Sequence, residues 1–218
     1  MRLKRNLDQV IYDELVDSLF ATQWKAGDII NIDDLAVKFE VSRTPVIQAI
    51  RLMAADGMVE LLPNGRAQFP TFTAKDVEDL CSTRELLEQA AIKIICKEKP
   101  ELPMEALQAN LENSKNARIN KMYGLCGRLD LQLHKLIVGA ANNKVLSSAY
   151  DVVQKKFTVL NYLNRTPEQV VTDLALSQHE EIIRELPSYN YTQLSKMIRS
   201  HVEYARRSEL ESIASKEA

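Results

Sequence analysis

Residues 41–69 read VSRTPVIQAIRLMAADGMVELLPNGRAQF, and this stretch decides the N-terminal fold. After Ser42, the residues Val46, Ala49, Ile50 and Met53 recur at helical spacing. Ser42 is therefore expected to cap a helix whose apolar stripe points inward. Gly57 is a fitting terminator, because glycine accepts the backbone that ends helices. Val59-Glu60-Leu61-Leu62 and Arg66-Ala67-Gln68-Phe69 flank Pro63-Asn64-Gly65, and Asn-Gly is a strong signal for a tight hairpin. Upstream, Val10, Leu15, Leu19 and Phe20 follow helical spacing, and Lys25-Ala26-Gly27-Asp28 reads as a turn. Asn31 is placed to cap a short helix through Phe39, with Asp34 at its third position. Three helices followed by a hairpin make a winged helix-turn-helix.

Such domains set the start of the second helix of the motif against the major groove. Here that start is Ser42-Arg43-Thr44, two hydroxyls and a guanidinium suited to phosphate oxygens and guanine edges. Arg66 sits where a wing meets the minor groove or the backbone. Arg51 reads equally as a phosphate contact and as a solvated helix residue, and Arg2, Lys4 and Arg5 could form an arm. Residues 1–70 carry eight Lys/Arg against ten Asp/Glu, so this unit is not the basic domain that many DNA binders show.

The expected boundary is Pro70-Thr71-Phe72-Thr73, with Thr73 capping the next helix. The organisation is then a winged helix over 1–70, a linker over 71–73, an all-α domain over 74–212 and a tail over 213–218. Helices are expected near 74–97, 103–117, 122–141, 143–163, 167–186 and 191–212. Pro100, Pro103, Pro167 and Pro187 fall near their ends, where proline is tolerated. The fold class is mostly α, an N-terminal winged helix-turn-helix followed by an all-helical antiparallel bundle.

The chain has three histidines, His134, His179 and His201, and all lie on apolar helical stripes. Asp130 precedes His134 by four residues and so shares its face. His179 lies about eight residues before the turn at 187–190 and His201 about eleven after it. An antiparallel hairpin brings these two to similar heights. One carboxylate and three imidazoles can then converge, as ligands do inside helical bundles. On the residues alone, a metal site and a satisfied buried cluster stand equally open. Arg84 interrupts the stripe Val77, Leu80, Leu87, Ala91, and a buried guanidinium needs an anion. Glu88, one turn on, can supply it; so can a ligand carboxylate.

Composition narrows the class. With 45% hydrophobic and 27% charged residues over 218 positions, the chain reads as an ordinary globular protein. No apolar run approaches the roughly 20 residues that cross a bilayer, and no signal-type stretch follows MRLKRN, so a cytoplasmic protein without a membrane partner is expected. Cys81, Cys96 and Cys126 are odd in number and lack CxxC spacing, against a disulfide framework or a cysteine zinc site. Neither a P-loop nor GxGxxG is present, against a nucleotide-binding enzyme, and HExxH is absent too.

Residues 41–69, with IYDELVDSLFATQWKAGDIINIDDLAVKFE at 11–40, resemble the GntR family of bacterial regulators. Residues 76–206 resemble the FCD sensor domain of its FadR-type branch, through STRELLEQAA, DLQLHKLIVGAANNKVL, LSQHEEIIREL and MIRSHVEYA. The resemblance implies metal ligands at Asp130, His134, His179 and His201, and an effector-contacting arginine at Arg84. Asn143 stands where a residue could cap a helix or touch the pocket. Relatives often carry arginine at the positions of Asp33 and Ile47, which implies weaker DNA binding with a shallower salt slope here. The implied protein is a homodimer on double-stranded operator DNA, controlled by a small carboxylate effector at a divalent metal. Zinc heads the candidates, with nickel, manganese or iron behind it. Not an enzyme is the expectation; a metal-dependent enzyme on the same site, a metal-ion sensor without organic effector and a structural metal are the rivals.

Overall fold

The structure is a computed structural model that describes residues 7–20, 24–63 and 66–217. The Arg2/Lys4/Arg5 arm, the Asn64-Gly65 turn and the side chains of Leu19 and Phe20 lie outside the described residues. The first unit comprises α1 (Leu7–Phe20), β1 (Ile29–Ile30), α2 (Ile32–Lys38), α3 (Arg43–Ala55), β2 (Glu60–Leu61) and β3 (Ala67–Gln68). β3 is central and antiparallel to both neighbours, with Glu60 opposite Gln68 and Ile30 opposite Ala67. The two-strand wing was expected; β1 as third strand was not. Two residues are too short for an alternation to show, and Gly27, at φ +82°, turns the chain so that its N–H reaches the Phe69 carbonyl. Asn31 caps α2 by accepting from the N–H groups of Asp33 and Asp34. On α1 the inward residues are Ile11 and Leu15, whereas Val10 is exposed. They pack with Val46, Ile50, Met53 and Phe69 in the winged-helix core.

The second unit is helical: α4 (Ala74–Glu98), α5 (Met104–Ile119), α6 (Tyr123–Gly139), α7 (Lys144–Asn164), α8 (Pro167–Val170), α9 (Asp173–Glu185) and α10 (Tyr191–Glu217). Thr73 and Asp76 form a reciprocal capping box that fixes the start of α4. The expected single helix over 167–186 is broken. Val171 and Thr172 are extended, and the Thr172 hydroxyl accepts from the Ala175 N–H to start α9 afresh. The expected tail is also corrected. α10 runs on to Glu217, Ile213 is buried in the bundle core, and Lys216 Nζ donates to the Leu163 carbonyl at 2.9 Å.

The two units pack directly on one another. Val159 and Leu163 of α7 belong to the winged-helix core, and Phe72 of the linker packs against both cores. Asp17 on α1 pairs with Arg128 on α6 at 2.7 Å, and Asp56 after α3 pairs with Lys155 on α7 at 2.8 Å. Among the described residues, no helix is long and apolar enough to cross a membrane.

Candidate metal centre and nucleic-acid interface

Three helices deliver the histidines to one point. α6 carries Asp130 and His134 a turn apart, α9 carries His179, and α10 returns antiparallel with His201. All three rings are buried. His201 Nε2 lies 3.3 Å from His179 Nε2 and 3.2 Å from His134 Nε2. Nitrogens bound at about 2.0–2.1 Å around a tetrahedral ion sit roughly 3.3 Å apart, so these separations suit one metal. Asp130 Oδ1 stands 3.4 Å from His179 Nε2, at the half-buried rim of the cluster. The mutually close group is the three histidines, and Asp130 flanks it.

A hydrogen-bond acceptor on the far side orients one ring, and a carboxylate stands on the far side of a second. His134 Nδ1 faces Glu88 Oε1 at 3.3 Å, and His201 Nδ1 is 2.9 Å from Gln178 Oε1. An acceptor at Nδ1 favours the proton there and leaves the Nε2 lone pair turned inward, the arrangement found behind metal-bound histidine. Burial is the main cause that pushes His179 down to about 4, with Asp130 opposing and His134 adding. Burial, then the neighbouring His179 and His134, holds His201 well below the ordinary range. Both rings are therefore neutral at pH 7, the form that donates to a metal.

Arg84 enters the same cluster from α4. Its Nε donates to Glu88 Oε1 at 2.8 Å, its Nη2 to His134 Nε2 at 2.8 Å, and its guanidinium lies 4.6 Å over the Phe157 ring. Tyr150 also donates to Glu88 Oε1, at 2.7 Å. Burial would raise the Glu88 pKa, but His134 and Arg84 outweigh it and hold that pKa well below the usual range. Of the two anions weighed for Arg84, Glu88 is the one in place, and it holds the guanidinium beside the histidines. The hollow between Arg84, Asp130, His201, Thr172 and Tyr204 is only about 20 Å³, enough for one water. Asn143 does not join them. Its side chain accepts from the Leu146 N–H as the cap of α7, which leaves capping as its evident use.

On the winged helix, Ser42, Arg43, Thr44, Arg51 and Arg66 are all exposed. Ser42 occupies the N-cap position of α3, yet its hydroxyl makes no capping hydrogen bond. That corrects the expectation of a side-chain cap and leaves the hydroxyl for a ligand. Arg43 Nε pairs with Asp33 Oδ1 at 3.1 Å. Arg43, Asp33 and Arg66 line one hollow of about 350 Å³ beside β1.

Reading the sequence missed Tyr150 and Gln178 as supports of the cluster and Asp33 as the partner of Arg43. Glu88 was visible as a partner for Arg84, but its position behind His134 was not. A stripe records which residues face inward, and it carries no information on which inward residues of different helices meet.

Residues 79–204 match the family described as the FCD domain, and residues 7–68 match the bacterial regulatory proteins of the gntR family. The chain is 28% identical over 191 residues to the HTH-type transcriptional regulator YdhC of Bacillus subtilis, covering 87% of this chain and 85% of that one. Among solved structures, a GntR transcriptional regulator from Rhodococcus sp. RHA1 aligns with a TM-score of 0.80 at 16% identity, covering 94% of this chain and 97% of that one. E. coli McbR/YncC aligns with a TM-score of 0.80 at 14% identity, covering 96% and 99%. At such identities the two structures share the fold.

Proposed function

Because the chain belongs to the GntR family of bacterial transcriptional regulators and carries the FCD domain, we propose that it is a cytoplasmic homodimer whose grip on operator DNA is set by a small carboxylate at a divalent-metal site. The observation that carries this reading is the convergence of three buried imidazole Nε2 atoms, the His201 ring being backed by an acceptor at Nδ1 and His134 Nδ1 facing the Glu88 carboxylate. His134, His179 and His201 would hold the ion, with Asp130 as fourth ligand. Once bound, a zinc ion supplies Lewis acidity and an open position for an anionic oxygen; nickel, manganese or iron suits the same donor set. Arg84 supplies a second, fixed positive charge for a carboxylate, delivered through a planar fork.

The hollow is too small for an organic acid as it stands, so entry requires Arg84, Thr172 or Tyr204 to shift. Any such shift acts on helices that also bear the winged helix. α6 holds Arg128, the partner of Asp17, two residues before Asp130, and α7 feeds Val159 and Leu163 into the winged-helix core. The effector changes DNA affinity only through its different affinity for the two arrangements. Two such chains related by symmetry would present two α3 helices to successive half-sites.

A binding role is favoured over a catalytic one by the fate of Glu180. This carboxylate, next to His179, pairs with Lys115 on the surface at 2.9 Å and offers no base to the site. One rival keeps support. Arg84 already has Glu88 and His134 as partners through Nε and Nη2, which suits a metal acting without an organic effector.

Fluorescence anisotropy with DNA from upstream of the protein's own gene, over a salt series, tests the proposal. We expect saturable binding that exceeds binding to random DNA and that shifts when small carboxylates meet the metal-loaded protein. A shift on metal alone, with every carboxylate silent, selects the rival. Binding that never exceeds random DNA, loaded or chelated, removes the operator reading.

A further inference from the structure

Asp33 is the acidic residue that seemed, on sequence grounds, to weaken the DNA surface. The structure places it against the guanidinium at the start of the reading helix. Arg43 Nε to Asp33 Oδ1 is 3.1 Å, and both side chains are 64% exposed. We propose that Asp33 is a positioning residue that presents Arg43 to a guanine, so that it sets base specificity. The inference rests on the DNA-binding reading of the winged helix and deepens it.

The chemistry of the guanidinium carries the argument. Arginine has five N–H donors in a rigid plane, and a carboxylate at Nε leaves both Nη groups at the outer end. Two parallel donors are what guanine presents O6 and N7 to receive in the major groove. Asp33 is itself fixed. It lies in the first turn of α2, its N–H is taken by the Asn31 cap, and its carboxylate suits the positive end of that helix. It therefore holds Arg43 from a rigid element across the motif. An exposed pair of this kind adds little to the stability of the free chain. Against DNA the same pair loses solvent, and its effect is to restrict how Arg43 is aimed.

A purely repulsive role makes a different prediction. A carboxylate that only opposes phosphates weakens all duplexes alike and acts mainly on the salt slope. An aiming carboxylate acts on one base position. Arg66 lines the same hollow as Asp33 and Arg43, and Ser42 stands at the N-cap of α3 next to Arg43.

The test selects sites for the full-length wild type from a pool of randomised duplexes long enough for two half-sites. The Arg43→Ala variant then identifies the guanine that Arg43 reads. Asp33→Ala and Asp33→Asn are measured on the selected duplex and on versions with that guanine replaced, after circular dichroism shows native helix content. For Asp33→Ala we expect preference for guanine at that position to fall about tenfold, within the range carried by a bidentate contact. Binding to random duplexes should hold or tighten. Asp33→Asn keeps an acceptor oxygen for Nε and should lose less. Undiminished guanine preference in Asp33→Ala, with uniform tightening on every duplex, overturns the proposal and leaves Asp33 as a repulsive charge. A wild type that enriches no sequence removes the DNA reading and the proposal with it.

Discussion

At the scale of single residues, the cluster is defined as much by what stands behind the imidazoles as by the imidazoles themselves. Gln178 fixes the His201 ring through Nδ1, and Glu88 stands 3.3 Å from His134 Nδ1; neither position behind a histidine was visible in the sequence. Among the described residues none is shown behind His179 in this way, and Asp130 stands 3.4 Å from its Nε2. His179→Ala should therefore strip the site of most of its metal, read as bound metal per chain after dialysis; full retention would mean that the ligand set is wrong. Arg84→Ala should keep the metal and lose the response of DNA affinity to carboxylates. An undiminished response in that variant would sink the role given to Arg84. The four candidate ligands and Arg84 were legible in the sequence because each is a polar residue on an apolar helical stripe. Asn143 was legible as a cap for the same kind of local reason, since capping depends on neighbours three residues away.

At the scale of elements, the caps decide where the ligands arrive. Thr172 restarts the chain as α9 after the break at Val171, and that restart sets the height at which His179 meets His201. Thr172→Ala removes a side-chain cap worth about 1 kcal/mol. For a chain of this size that corresponds to a drop in Tm of about 2–4 °C, checked by thermal unfolding followed by circular dichroism. No change in Tm would show that neither the cap nor the hydroxyl contact with Tyr204 stabilises the fold. The break was hidden because the apolar spacing of 167–186 continues through it: Val171, Ala175 and Ile182 are all buried. Periodicity sees faces, and a cap that interrupts a helix without changing the face leaves no periodic trace. β1 escaped for the opposite reason, being only two residues whose pairing is long-range. The long helices, the capping box at Thr73 and the hairpin were legible because each is written in adjacent residues.

At the scale of the whole molecule, the far end of α10 closes the structure through a buried ion pair. Glu209 is fully buried 2.9 Å from Arg165, and burial pushes its carboxyl up to about 7, with Arg165 and Lys216 opposing. A carboxyl whose pKa is raised in the folded chain binds a proton there that the unfolded chain releases at its ordinary value of 4.5. The stability it contributes is full below that value and is lost as pH rises through about 7. Buried His179 and His201 add stability as pH rises over the same range, so Glu209 is isolated by a difference. The urea midpoint of Glu209→Gln should rise relative to that of the unaltered chain between pH 5 and 7; a constant difference would assign the pH dependence to other groups. The hydrogen bond from Arg84 to His134 has a reach beyond the cluster. The Nε2 lone pair that accepts it is the pair a metal would need, so ion and guanidinium compete for one orbital. An anion that draws Arg84 aside relieves that competition, and thermodynamic reciprocity then requires each ligand to tighten the other by the same factor. On the proposed function, half-saturation by the metal would then depend on acid concentration, and half-saturation by the acid on the metal.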